Sequence, residues 1–289
     1  MVLPRFWNRT MSLRRILANL NETANNKAVV ATASLLARDF GASVTGLYVV
    51  PATPVYPEAR YEPIPQIFEA HRDFFRRQSA AVDVTFKAGF PGKSARHRLL
   101  IENSGSPLIG DIVIERGRSF DLILLSSTDM KPERGVELDF VPRVAVASGR
   151  PVLVVPTKAP WTAIPEKVVI GWNGSREAAR ALFDSLPLLE RAKEIHVIWV
   201  DPPSDRTQSG TWSEEIRSTL DLHGIRTAAK GVSSGGKTAG EVLLKTAADA
   251  GAHLLVIGAY GHSRLTEFIL GGVTRRVLRE MKCSVLLSH

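Results

Sequence analysis

The chain has 289 residues, 44% hydrophobic and 23% charged, enough apolar side chain for one or two real cores and, at roughly 100–200 residues per domain, for two domains. Its 37 Lys and Arg against 29 Asp and Glu give +8. A solvated basic surface that suits phosphate ligands accounts for this better than nucleic acid, because no long block of like charge and no aromatic–basic RNA motif occurs. The single cysteine, Cys283, excludes an intrachain disulfide and a cysteine metal cluster; it fits a reducing compartment and reads as part of a buried strand, "CSVLLS".

In chain order, residues 1–11 read as a loose extension, with the start at Met1 or Met11 left open. "MVLPRFWNRTMSLRR" has no apolar signal-peptide core, and no apolar stretch reaches the ~18 residues of a membrane span, so a cytoplasmic protein without a membrane partner is expected. The apolar run Ile16–Leu20 predicts a strand ending in turn residues. "NNKAVVATASLLARDFGA" predicts a helix stopped at Gly41, and "SVTGLYVV" a strand rich in β-branched residues. A proline-rich loop over Pro51–Pro65 leads to a helix through "QIFEAHRDFFRRQSAAV"; "FDLILLSS" (120–127) and "GRPVLVVP" (149–156) are buried strands.

The second half repeats this order. "EKVVIGWNGS" (166–175) is strand then turn, "REAARALFDSLPLLERA" is helical, "EIHVIWVD" (194–201) is a strand and "SEEIRSTLDLHG" (213–224) an amphipathic helix. A third strand lies around "IRTAAKGV", followed by the helix "AGEVLLKTAADAG". "AHLLVIGAY" (252–260) and "KCSVLLSH" (282–289) answer the last two strands of the first half. A shift of 152 lays Asn21 on Asn173, and one of 132 lays Phe120–Leu125 on Ala252–Ile257. Four strands in one order point to an internal duplication. The expected organisation is therefore a domain over 12–157, a linker over 158–165 within the proline-bearing stretch 156–167, and a second domain over 166–289. Continuous apolar strands alternating with helices imply an α/β class, each half an open parallel sheet covered on both faces. Ligands of such sheets sit outside the carboxyl ends of the strands, which directs the search to Asn21, Asn173, Asp201, Ser126 and Gly258 onward.

The chemistry concentrates after the strand "HLLVIG". Gly258 is followed after two residues by Gly261, then after nine more by Gly271 and Gly272, where a helix begins with Val273, Val277 and Met281 on one face. Gly258 and Gly261 would let backbone approach a ligand, and the N–H groups of Gly271, Gly272 and Val273 would meet an anion at a helix start, with the Thr274 hydroxyl beside them.

This spacing resembles the signature of the universal stress protein family, Gly-x2-Gly-x9-Gly followed by Ser or Thr, at Gly258, Gly261 and Gly271. The whole chain resembles a tandem member of that family, most strongly over 166–289. The resemblance implies two Rossmann-like, adenine nucleotide alpha hydrolase-like domains, each with five parallel strands. It also implies a stress-response role, and ATP or a related adenine nucleotide, with magnesium, as a ligand that turns over little or not at all. Adenine and ribose would meet Gly171, Trp172 and Asn173, and the phosphates the glycine signature. Asn173 stands where the family usually places Asp, and Gly272 where it usually places Ser or Thr. His262 and Arg264 lie within reach of phosphates or in a solvated loop. The resemblance further implies pairing of domains through their last strands, 151–155 and 284–288, here within one chain; a further homodimer and a protein partner are left open. In the first half Gly258 falls on Ser126 and Gly261 on Asp129, so this half is expected to keep the fold without the nucleotide site.

Two rival readings stand beside this one. "GVSSGGKT" (231–238) fits the P-loop pattern, in which Lys237 and Thr238 would hold phosphates and magnesium of a kinase or NTPase. No later strand ends in the Asp that such a site uses for magnesium, and an ordinary glycine-rich connection explains the segment better. The other rival is a scaffold that binds a protein and no nucleotide. The seven histidines show no HExxH or paired spacing and no GxSxG elbow is present, so no catalytic residue and no metal ligand is assigned.

Overall fold

A computed structural model describes residues 12–53, 65–92, 96–127, 135–157, 159–203, 211–259 and 272–289. In the N-terminal half the strands are β1 (Arg15–Asn19), β2 (Ser43–Val50), β3 (His97–Asn103), β4 (Leu122–Ser126) and β5 (Val152–Val155). The helices are α1 (Asn26–Phe40), α2 (Pro65–Gly89), α3 (Gly110–Gly117) and α4 (Phe140–Ala147). The C-terminal half has β6 (Lys167–Trp172), β7 (Glu194–Val200), β8 (Ala228–Val232), β9 (Leu254–Gly258) and β10 (Ser284–Ser288), with α5 (Arg176–Asp184), α6 (Leu186–Leu189), α7 (Thr211–Leu222), α8 (Ala239–Asp249) and α9 (Gly272–Glu280).

The ten strands form one sheet in the order β3-β2-β1-β4-β5-β10-β9-β6-β7-β8. Within each half every pairing is parallel. The two halves join through β5 and β10, which run antiparallel with Leu153 opposite Leu286. The duplication is visible in the register. Ile16 faces Leu122 in the first half, and Val168 faces Leu254 in the second, which are the same two positions displaced by the offsets read from the sequence.

Alternation along the strands sends side chains to two cores. Leu122, Leu124, Leu153 and Leu286 pack with α1, α2, α5, α6 and α7 on one face. Ile123, Leu125, Val152 and Val285 pack with α3, α4, α8 and α9 on the other. Both clusters run through both halves, so β5–β10 pairing buries apolar surface on each face; full burial of one Val or Leu side chain contributes roughly 1.5–3 kcal/mol. Arg191, after α6, donates to the Asp39 carbonyl at 3.1 Å and lies over the Phe40 ring at 4.6 Å, tying the end of α1 to the other half. The linker residue Trp161 donates its indole N–H to the His253 carbonyl at 3.2 Å.

Several elements depart from the sequence expectation. The helical stretch after Ser175 breaks at Ser185, where Pro187 removes an N–H donor, giving α5 and α6. The helix begun at Pro65 runs on to Gly89. Strand β3 and helices α3 and α4 had no counterpart in the reading of the sequence. Cys283 precedes β10 and is only partly buried. Gly41 ends α1 in the left-handed conformation, φ 63°, as a glycine stop requires.

Candidate functional site

In each half the strand order reverses beside its first strand: β1 lies between β2 and β4, β6 between β7 and β9. The crevice beyond the carboxyl ends of such neighbours is where doubly wound sheets take ligands. The two crevices are built differently.

In the N-terminal half the asparagines at the crevice are engaged with the chain itself. Asn21, only 3% exposed, donates to the Val49 carbonyl at 2.7 Å and accepts from the Val49 N–H at 3.0 Å. Its amide thus pairs with β2 as a strand residue would. Asn19 donates to Asn21 Oδ1 at 2.9 Å, and Asn26 to the Leu20 carbonyl at 2.8 Å. Asn25 reaches across from the start of α1 to the Ser127 carbonyl beyond β4, at 3.3 Å. Most of these buried polar groups are paired, as burial requires, though Asn26 Oδ1 has no partner. Ser126, at the Gly258 position, is buried and bonds the Ser127 carbonyl at 3.0 Å. Asp129 lies outside the described residues.

In the C-terminal half Asn173 is exposed. Its Oδ1 accepts from the Ser175 N–H at 3.1 Å, and Ser175 in turn caps α5 by accepting from Ala178 N–H at 3.2 Å. The Asn173 amide nitrogen is not used in either bond. Trp172 packs against the core, with its indole N–H buried and without a partner. Gly171 is a packing glycine: a Cβ there would lie 2.9 Å from Leu243. Gly258 has the same character in stronger form. A Cβ on it would come within 2.6 Å of the backbone at Glu177 and Ala178, so this glycine admits the start of α5 over the end of β9. Glu177, 3% exposed, pairs with Arg176, and its second oxygen has no partner. Burial pushes its carboxyl up; hydrogen bonds from Arg176, its own backbone and Ser175 outweigh that and hold it below the usual range.

Helix α9 opens at the same carboxyl edge. No acidic residue occupies its first turn, whereas α5, α7 and α8 carry Glu177, Glu214 and Glu241 there. Its positive dipole end is thus not offset by a carboxylate of its own first turn. A Cβ on Gly272 would meet nothing within 4 Å, so the helix start can be approached closely. Val273 is partly exposed, and Thr274 is buried at 2% exposure, so the side chain expected to offer a hydroxyl sits within the packing. Gly261, Gly271, His262 and Arg264 lie outside the described residues. Behind the edge, Arg276 of α9 donates to Glu241 of α8 at 2.9 Å. The first half repeats the arrangement with Arg143 and Asp111, fixing the angle between paired helices.

The segment 231–238 has a different construction from a phosphate cradle. Gly231 and Val232 end β8, an edge strand. Gly235 and Gly236 form the turn with φ 57° and 81°. The Ser234 N–H donates to Asp201 at 2.8 Å, and hydrogen bonds from Ser234 hold the Asp201 carboxyl below its ordinary range. The Thr238 N–H and hydroxyl both donate to Glu241, at 2.9 and 2.7 Å, in a capping box that starts α8. Two of the chain's own carboxylates therefore occupy donors that a phosphate would need. Among the described residues no group of three or more His, Cys, Asp or Glu converges on a metal site, and no helix is long and apolar enough to cross a membrane.

Known structures share this architecture. A universal stress protein from Archaeoglobus fulgidus DSM 4304 superposes over 95% of this chain and 97% of its own, with TM-score 0.70 and 15% identity. A functionally unknown protein from Pseudomonas aeruginosa PAO1 covers 96% and 92%, with TM-score 0.60 and 18% identity. At these identities the likeness shows the fold. No curated protein sequence matches. The model of the universal stress protein family matches residues 165–289. The C-terminal half of this chain, with its crevice beside β6 and β9, is thus similar to the universal stress protein family over residues 165–289, and the N-terminal half repeats the same Rossmann-like fold.

Proposed function

We propose that the C-terminal half binds an adenine nucleotide, ATP or a close relative, outside β6 and β9, and holds it with little or no turnover in a stress-response role. The observation that carries this reading is the contrast between equivalent crevices. Asn21 is spent on Val49, while Asn173 is exposed at the edge where α9 begins with no carboxylate in its own first turn. Asn173 would hydrogen-bond ribose hydroxyls, Gly171 and Trp172 would sit below the base, and the N–H groups of Gly271, Gly272 and Val273 would take the phosphates, with Gly258 and Gly261 giving the turn its close approach. Magnesium would arrive on those phosphates. The N-terminal half would serve as a structural partner.

Calorimetric titration with Mg-ATP tests this. One ATP per chain is expected, lost in Gly261→Val and weakened by about tenfold in Asn173→Ala, which removes hydrogen bonds to the ligand. Two ATP per chain would overturn the assignment of the N-terminal half. Loss of binding in Lys237→Ala would transfer the site to residues 231–238. No binding at all would favour the scaffold reading, in which the same surface serves a protein partner.

A further inference from the structure

A second cleft, in the N-terminal half, lies apart from that crevice. It opens at the carboxyl edge between α2 and the ends of β2 and β3, with a volume of about 470 Å³, within the range of roughly 300–1,000 Å³ usual for small-molecule pockets. Val50, Pro51 and Phe75 give it an apolar floor, Phe75 being only 4% exposed. Arg72, Arg76 and Ser79 line it from one face of α2, at helical spacing i, i+4 and i+7. The two guanidinium groups have weak commitments elsewhere. Arg76 is 3.0 Å from Asp73 and Arg72 4.0 Å from Glu69, with the arginine side chains 78% and 75% exposed. Ion pairs so exposed contribute little, so both arginines can turn to a ligand. No carboxylate lines the cleft among the described residues.

The matching crossover of the C-terminal half is filled differently. Trp212 of α7 packs edge-on against Trp199 with ring centroids 5.1 Å apart, and Pro202 lies where a Cβ on Gly231 would come within 2.7 Å. An apolar floor under two arginines selects a molecule with an apolar body and an anionic head, since guanidinium groups match the planar geometry of carboxylate and phosphate oxygens. We infer that this cleft binds a small organic anion, with Arg72 and Arg76 on its carboxylate or phosphate head and Phe75 beneath its apolar body.

Fluorescence titration of the full chain with 2-naphthyl phosphate and with 2-naphthoate tests this, with 2-naphthalenemethanol as the uncharged control. At least one anion should bind saturably, and the alcohol about tenfold more weakly or worse. Arg72→Ala and Arg76→Ala should each weaken the anion by about tenfold. Ser79→Trp should block the cleft, and Arg38→Ala, which removes a remote exposed charge, should change nothing. Thermal melts establish that each variant is folded. Preference for the phosphate identifies phosphate esters as the ligand class, and preference for the carboxylate identifies organic acids; either supports the site. Binding that survives the double variant Arg72→Ala/Arg76→Ala places the ligand elsewhere, the C-terminal crevice included, and overturns the inference. Absence of saturable binding by both anions, or equal binding of the alcohol, does the same.

Discussion

Single residues decide most of the difference between the two halves. Asn21 and Asn173 occupy the same place in the repeat, yet one is buried in a paired network and the other faces solvent. Asn21→Ala would leave the Val49 N–H and carbonyl unpaired inside the protein, and urea denaturation should show a loss of about 1–3 kcal/mol. Asn173→Ala should stay within about 0.5 kcal/mol of the parent, as surface changes do, while weakening nucleotide. Cys283 supplies a pH prediction. Burial pushes its thiol from 9.0 up to about 11. The unfolded chain then loses this proton first, so stability is full below pH 9 and falls as pH rises toward 11. Cys283→Ala should remove that part of the alkaline decline. Iodoacetamide at pH 9 should modify the folded chain roughly fifty-fold more slowly than the urea-unfolded chain, in proportion to thiolate.

At the scale of elements, helix starts are where sequence motifs acquire or lose their meaning. Residues 231–238 match a phosphate loop in spelling, but Thr238 and Glu241 form a capping box. Thr238→Ala should therefore destabilise the protein by about 1 kcal/mol with nucleotide binding unchanged, and a loss of binding without a loss of stability would sink that reading. Gly258 is constrained by α5 as well as by any ligand. Gly258→Val should lower stability by about 1–3 kcal/mol, because its Cβ meets helix backbone that cannot yield as a side chain would. Strand β3 and helices α3 and α4 leave only weak local signals, for two reasons. Strand β3 is an edge strand of alternating exposure, carrying His97, Arg98, Glu102 and Asn103, so it lacks the continuous apolar run of the inner strands. Helices α3 and α4 have eight residues each, too few turns for a periodic signal to stand out.

The whole molecule is one sheet made by two halves. Leu153 and Leu286 meet across an antiparallel pairing, buried on a core that both halves share. If a protease site were inserted between Thr157 and Pro160, cleavage should leave two fragments that co-elute on gel filtration. Fragments that separate without denaturant would show that the linker, and not β5–β10 pairing with Arg191 on Phe40, holds the halves together. The edges of this ten-stranded sheet are β3 and β8. Charged side chains on both, such as Arg98, Glu102 and Lys230, disfavour further strand addition.

Apolar runs and turn residues are local properties. They were sufficient to specify the inner strands, the repeat with its two offsets and the parallel α/β class; the seam between the last strands, 151–155 and 284–288, was implied only by the family resemblance, and the antiparallel pairing of β5 with β10 bears it out. The glycine spacing after β9 was equally legible. The asparagine bonding at the N-terminal crevice was not, because it depends on where Asn21, Asn25 and Asn26 find partners 28, 102 and 6 residues away. Nor was the fate of "GVSSGGKT", since Asp201 lies 33 residues from Ser234 in the chain and reaches it only because β7 and β8 are neighbours. The cleft under Arg72 and Arg76 likewise forms only once α2 is laid across β2 and β3. Strands announce themselves by a period that neighbours in sequence must keep; sites arise from hydrogen bonds and surfaces that only the folded chain brings together.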